Sequence, residues 1–290
     1  MRALDVLAPG PLTLVEDVGR PGYAAVGVSR SGAADRAAYL LAGRLLGEPV
    51  GRAALEVTLG GLIVRARGSL TVVVTGAVAP ATVDGRPVGH AAPVHLPDGA
   101  VLALGMPPTG VRSYLAVRGG IAVERVLGSR SRDTLSGLGP APVAAGQVLP
   151  IGEPSGGQPI LDVAPVAAPG GGAVAMRLLP GPRRDWLADP EALTSTTWTV
   201  AAQSNRVGVR LHGQPVGRAA AWSGVELPSE GVVRGAVQVP ADGRPIIFLA
   251  DHPVTGGYPV VAVVPAVDVD RLAQCRSGQP VRLAWGVPSR

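Results

Sequence analysis

Between Ser229 and Pro259 the chain reads SEGVVRGAVQVPADGRPIIFLADHPVTGGYP. This places Ser229, Glu230, Gln238, Asp242, Asp251, His252, Thr255 and Tyr258 among glycines and prolines, beside strongly apolar runs. Polar groups in Gly/Pro turns next to rigid β-structure are how a scaffold presents a ligand. ADGRP reads as a plain hairpin turn, since Asp-Gly is a turn former. DHPVTGGYP holds more polar groups than a reversal needs, and Asp251, Thr255 and Tyr258 are its candidates for polarising a substrate or handling a proton. Ser229, His252 and Asp251 do not make a convincing triad, because Asp251 and His252 are neighbours in the chain.

Three further segments have chemistry to offer. EDVGRPGYAAVGVSRSGAAD, from Glu16 to Asp35, carries Asp17, Arg20, Ser29, Ser31 and Asp35 into the start of a helix. Ser31 either caps that helix from Ala33 or helps to hold an anion at its free amides. SRSRD, from Ser129 to Asp133, follows a strand and a Gly-Gly turn. With Arg118, it is either an oxyanion grip or a solvated loop. In AQSNRVGVRLHG, Arg206 and Arg210 have the spacing of one strand face, which suits carboxylate recognition or ion pairs to Glu226 or Glu230.

Composition removes several classes. All 26 basic residues are arginine, so Schiff-base and Walker-type lysine chemistry is absent from these residues. The net charge of +5 is scattered and accompanied by only four Trp, four Tyr and one Phe, which argues against a nucleic-acid surface. Four histidines (His90, His95, His212, His252) and one cysteine, Cys275, show no metal-ligand spacing. Cys275 reads as a small buried hydrophobe. Without an apolar signal core or a membrane-length run, the expected compartment is the cytoplasm.

The elements that must position these groups are mainly β. GLIVRA, SLTVVVTG, AVLALG, RSYLAVRG, AMRLLPG, TWTVAA, RPIIFLAD, YPVVAVV and VRLAWG read as strands separated by turn signals. Helical spacing is confined to Ala33–Gly47 and to VDVDRLAQCRSG, with Asp268 or Asp270 near the start of the latter and Gly278 beyond its end. Periodicity lapses in a Gly/Pro-rich stretch. The expected organisation is an N-terminal domain over 1–152, a linker over 153–173 and a C-terminal domain over 174–290. A weak echo between the halves (APGPLTL with LPGPRRDWL, VGVSRSG with RVGVRLHG) suggests duplication.

Five ordered blocks carry a resemblance along nearly the whole chain: PGPLTLVEDVGRPGYAAVGVSRSGAAD, SYLAVRGGIAVERVLGSRSRD, SNRVGVRLHG, SEGVVRGAVQVPADGRPIIFLADHPVTGGYP and DVDRLAQCRSGQPVRL. In these the sequence resembles the biotin-dependent carboxyltransferase family, also called allophanate hydrolase subunit 2 or KipA. The resemblance implies two cyclophilin-like β-barrel domains. It implies one component of a heteromeric ATP-dependent 5-oxoprolinase, inactive alone, which opens 5-oxoproline to L-glutamate. Its partners there are the B component, a KipI-like protein, and the A component, a lactam hydrolase. ATP with Mg belongs to that complex, and biotin enters only if another protein supplies it. The same resemblance admits a carboxyltransferase of a urea or amide carboxylase, or a non-catalytic antagonist of a kinase inhibitor. On this reading Arg20, Arg206 and Arg210 bind an anion, with Ser31 and the Gly-rich turns adding amide contacts and Gln238 lining the site. Asp35 and Glu230 orient the arginines. The chain departs from the family pattern at Asn205, where an Asp is usual, and at Gln147, where an acid is usual.

Overall fold

The computed structural model describes residues 2–155, 157 and 162–286. It is mainly β, and each of the nine runs read as strands contains one. Two compact units form: one from Met1–Arg20, Ser31–Asp133 and Gly137–Pro169, the other from Pro21–Arg30, Thr134–Ser136 and Gly170–Arg290. Of the expected linker, residues 156 and 158–161 lie outside the described residues, as do 287–290 of the expected C-terminal domain.

The first unit contains two antiparallel sheets. One joins, in order, Val148–Pro150, Ala3–Pro9, Leu62–Arg67, Val101–Leu104, Ala81–Val83 and Arg86–Pro87. The other joins Leu12–Glu16, Ala54–Thr58, Arg112–Val117, Leu70–Gly76 and Val94–Leu96. Successive strand residues point to opposite faces, and the second sheet buries both. Leu55, Val57, Val72, Val74, Leu115 and Val117 enter the core with Leu4, Val6, Leu62 and Leu102. The alternate residues Ala54, Val73, Tyr114 and Ala116 pack against the helix Arg36–Leu45 through Tyr39, Ala42 and Leu45. That is why these strands read as continuous apolar runs.

The helix begins later than Ala33. Asp35, not Ser31, is its N-cap: the Asp35 carboxylate accepts from Ala38 N at 3.0 Å. Ser31 is fully buried with φ 53°, and its hydroxyl donates to Arg132 O at 3.2 Å. The helix expected near the C-terminus spans Ala266–Leu272, shorter than its pattern. Asp268 in its first turn accepts from Arg177 N (3.0 Å) and Arg177 Nε (2.9 Å). Cys275 is buried, in keeping with its reading as a small hydrophobe.

The second unit is a closed seven-stranded barrel. Its order is Val174–Pro180, Val260–Val263, Ala236–Gln238, Ile246–Phe248, Gly208–His212, Trp198–Val200 and Pro280–Trp285. Parallel pairing of Val174 with Val281 through Leu178 with Trp285 closes the ring. A short ribbon, Glu230–Gly231 with Thr255–Gly256, stands beside it. The sequence echo has a structural counterpart, because both Pro-Gly-Pro segments end a seven-residue strand. A Cβ on Gly10 would lie 2.2 Å from Gly60 O, and one on Gly181 would lie 2.5 Å from Val260 O. Only glycine permits these backbone approaches.

His90, half-buried in a turn of the first unit, has no hydrogen-bond partner for either ring nitrogen among the described residues. Burial pushes its pKa below the ordinary histidine value. The unfolded chain therefore binds that proton more readily, and stability is lost as pH falls through the ordinary value near 6.5. The melting temperature should fall further between about pH 7.5 and about pH 5.5 in the wild type than in His90→Phe. Equal falls in circular-dichroism melts would remove His90 as the cause.

Candidate functional site

The clearest buried charge cluster of the second unit is built on Asp251. Strand Gly208–His212 pairs with Ile246–Phe248, and two further hydrogen bonds extend the ladder: Leu249 N to Val207 O (2.9 Å) and Asp251 N to Arg206 O (3.0 Å). This backbone register sets Arg206 and Asp251 side by side. Arg206 Nε lies 2.9 Å from Asp251 Oδ2 and Nη2 lies 3.0 Å from Oδ1, a two-pronged ion pair. The side chains are 3% and 0% exposed, so the pair is out of water. Thr134 completes the arrangement, donating to Asp251 Oδ2 from its N (2.9 Å) and its hydroxyl (2.7 Å). No sequence signal points to Thr134, since it lies 117 residues from Asp251 in an ordinary-looking loop.

Around this pair the DHPVTGGYP loop is held by its neighbours. Gln238, 3% exposed, donates from Nε2 to Tyr258 O at 2.9 Å. A Cβ at Gly256 would meet that Nε2 at 2.7 Å, so the Gly-Gly step lets the loop pass over the amide. Val232 N donates to Val254 O at 3.0 Å, and Thr255 pairs with Gly231 in the ribbon. Thr255 and Tyr258 stay exposed, Tyr258 by 49%. His252 is turned onto its own loop, with Nδ1 2.7 Å from Pro253 O.

Several expectations are corrected. Arg206 and Arg210 do not share a face: Arg206 is buried on Asp251, while Arg210 is exposed on the outer surface of the barrel. Glu230 pairs with Arg183 rather than with either of them, and this guanidinium holds its carboxyl below the usual range. Asn205 shapes the chain: its Oδ1 accepts from Val207 N (2.9 Å) and Gly208 N (3.3 Å), as an aspartate oxygen would. Gln147 likewise closes a turn, accepting from Ala144 N at 3.2 Å.

The first unit has its own buried polar knot. The Asp17 carboxylate accepts from Gly19 N (2.8 Å), Ser129 Oγ (2.6 Å), Ser131 Oγ (2.7 Å) and Arg130 N (2.7 Å). The SRSRD loop is therefore neither a solvated loop nor an open oxyanion grip at its serines, whose hydroxyls serve Asp17. Arg20, 1% exposed, donates from Nη2 to Ser131 O and from Nε to Val126 O at 3.4 Å. Its Nη1 is buried with no partner among the described residues. A second network joins Tyr114 OH to Glu56 Oε2 (2.7 Å), with Ala34 N on the same oxygen (2.9 Å) and Asp35 N on the phenol (2.8 Å). Burial and the Glu56 charge push the Tyr114 phenol well above its usual range.

The carboxyltransferase domain family, subdomain A and B, matches residues 26–285, which is most of the chain. The chain belongs to this family. It is 37% identical to the C component of the 5-oxoprolinase of Escherichia coli over 290 residues, covering 96% of this chain and 89% of that protein. It is 32% identical to the urea amidolyase of Lachancea kluyveri, covering 97% of this chain and 17% of that one. The crystal structure of TTHA0988 superposes with a TM-score of 0.88 at 35% identity, over 98% of this chain and 55% of that chain. The carboxyltransferase domain thus spans about half of that solved chain and a sixth of the amidolyase, but nearly all of the bacterial oxoprolinase component. No helix among the described residues of this family member is long and apolar enough to cross a membrane.

Proposed function

We propose that this chain is one component of a heteromeric ATP-dependent 5-oxoprolinase of the cytoplasm, opening 5-oxoproline to L-glutamate. Its co-workers are the KipI-like B component and the lactam-hydrolase A component, and the chain has no turnover alone. The observation that carries this reading is the 37% identity to a 5-oxoprolinase C component over nearly the full length of both proteins. Among the described residues no group of three or more His, Cys, Asp or Glu could hold a metal ion. In this reading ATP with its Mg belongs to the complex as a whole. The domain division at 153–173 is part of the same proposal, supported by two units with separate cores.

Within the proposed site, Thr255 and Tyr258 meet the substrate amide, supported by their exposure on a loop that Gln238 fixes from below. Asp251 and Arg206 supply a charged, water-free backing whose field reaches the loop. Arg20 is the proposed anion contact of the first unit, supported by its unpartnered Nη1, while Ser31 holds the Arg132 carbonyl and Asp35 caps the helix. Similarity to a urea amidolyase favours one second reading, carboxyl transfer to urea or a similar amide. Because the 290 residues include no lysine, biotin would have to be carried outside them.

The test is reconstitution with the proposed B and A components. ADP and glutamate should form only when 5-oxoproline and all components are present. Thr255→Ala and Tyr258→Phe should each fold and each lower that rate by at least about tenfold. Undiminished turnover in both variants would remove the assigned loop residues. A stable complex that turns over urea with a biotinylated donor, and not 5-oxoproline, would replace the reading.

A further inference from the structure

The outer surface of the barrel carries an open groove with a cavity volume of about 600 Å³. Its polar lining is Gln203, Asn205, Arg210, His212, Asp242 and Arg244. Strand alternation explains the set. Val209 and Leu211 point into the barrel and are buried, so Arg210 and His212 point out together. The hairpin turn ADGRP then brings Arg244 to the same groove, with Ile246 and Pro245 as apolar surface.

These cations are poorly matched by protein anions. Arg210 hydrogen-bonds through its main chain, its N donating to Ser204 Oγ (3.1 Å) and its O accepting from Ala201 N (2.8 Å). Its guanidinium has no partner among the described residues. Arg244 reaches Asp242 only at 3.7 Å, and its Nε is buried with no partner among the described residues. The imidazole of His212 makes no hydrogen bond among them either, its main-chain O accepting from Thr199 at 3.3 Å. Asn205 has committed its oxygen to Val207 N and Gly208 N, which leaves its NH2 group as a donor. Two planar guanidinium forks on separate elements, with amide donors between, suit a ligand bearing two carboxylates. The volume is that of a small-molecule site.

From this we infer that the groove binds a short dicarboxylate, one carboxylate on Arg210 and the other on Arg244. The assignment rests on the groove alone and does not need the oxoprolinase reading. Asp242 competes for Arg244, so it weakens the site.

The experiment is isothermal titration of the full chain with glutarate and, in parallel, with inorganic phosphate. Glutarate should bind one to one, with Arg210→Ala and Arg244→Ala each weakening it about tenfold or more. Asp242→Asn should tighten it, and phosphate should bind at least about tenfold more weakly. Arg210 is exposed, so its variant keeps the fold, which far-UV circular dichroism checks. Absence of glutarate binding at millimolar concentration, or affinity unchanged in both arginine variants, overturns the site. Loss confined to one variant overturns the two-anchor geometry, and phosphate binding tighter than glutarate overturns the ligand class.

Discussion

Asp251→Ala is expected to destabilise the chain by about 3–5 kcal/mol, because it removes the two-pronged carboxylate partner of a buried guanidinium. Arg206 is 3% exposed and faces Asp251 through both prongs of its guanidinium. Arg206→Ala should cost somewhat less. The carboxylate left behind keeps the Thr134 amide and hydroxyl, both within 2.9 Å of Oδ2, to hold its charge. Removing both partners together should cost less than the sum of the single changes, since the charge-to-charge interaction between them is then lost only once. Urea denaturation at constant m-value, run as a double-mutant cycle, reads this directly. Additive costs, or a cost below about 1 kcal/mol for Asp251→Ala, would show that the pair is not an interacting unit. The same result would weaken the proposed backing role, since a pair loose enough to be lost cheaply cannot fix a field.

Asp17→Ala should be of similar size, about 3 kcal/mol or more, for a different reason. This carboxylate is held by four converging hydrogen-bond donors, from Gly19, Ser129, Arg130 and Ser131. Asp17 is 4% exposed, and Ser129 and Ser131 are fully buried. Alanine leaves these donors in the interior with nothing to accept them, and each buried unmet donor carries its full desolvation cost. Asp17→Asn should rescue only part of this: its amide oxygen can keep the Gly19, Ser129 and Ser131 donors that Oδ1 now accepts, but its NH2 would meet the Arg130 N–H. Thermal and urea unfolding of the two variants would check this, and a near wild-type midpoint for Asp17→Asn would show that one acceptor oxygen suffices. Loss of the knot would also free the Ser131 carbonyl that Arg20 Nη2 now holds.

The two halves of the candidate site are legible in the sequence to different degrees. The loop Asp251–Tyr258 stands out because a density of Gly, Pro and polar residues between apolar runs is a local property. One contact explains its Gly-Gly step, the Gln238 amide under Gly256. Arg206 is visible as a candidate, but its partner is not, because two-residue periodicity holds only within a strand and Gly208 is where the strand starts. Arg210 lies in the strand and Arg206 before it, so even spacing does not mean a shared face. Arg183 carries no signal as the partner of Glu230, since 47 residues separate them and only barrel closure brings them together. Ser31 has the residue type of a helix cap. The helix starts at Arg36 instead, and Asp35 has the extended backbone of a capping residue.

What the sequence determined by itself is the mainly β fold, the positions of nine of its strands and the two helical segments. These follow from the period of the apolar pattern and from Gly/Pro punctuation, both of which act over a few residues. The absence of lysine and the single cysteine also bound the chemistry before any fold is known. Tertiary structure alone decided which polar groups meet: Thr134 with Asp251, Asp17 with Ser129 and Ser131, and Arg210 and Arg244 at one groove. The physical reason is that a buried charge takes whatever donors the packed backbone brings within about 3 Å, and strand pairing across a hundred residues sets those distances.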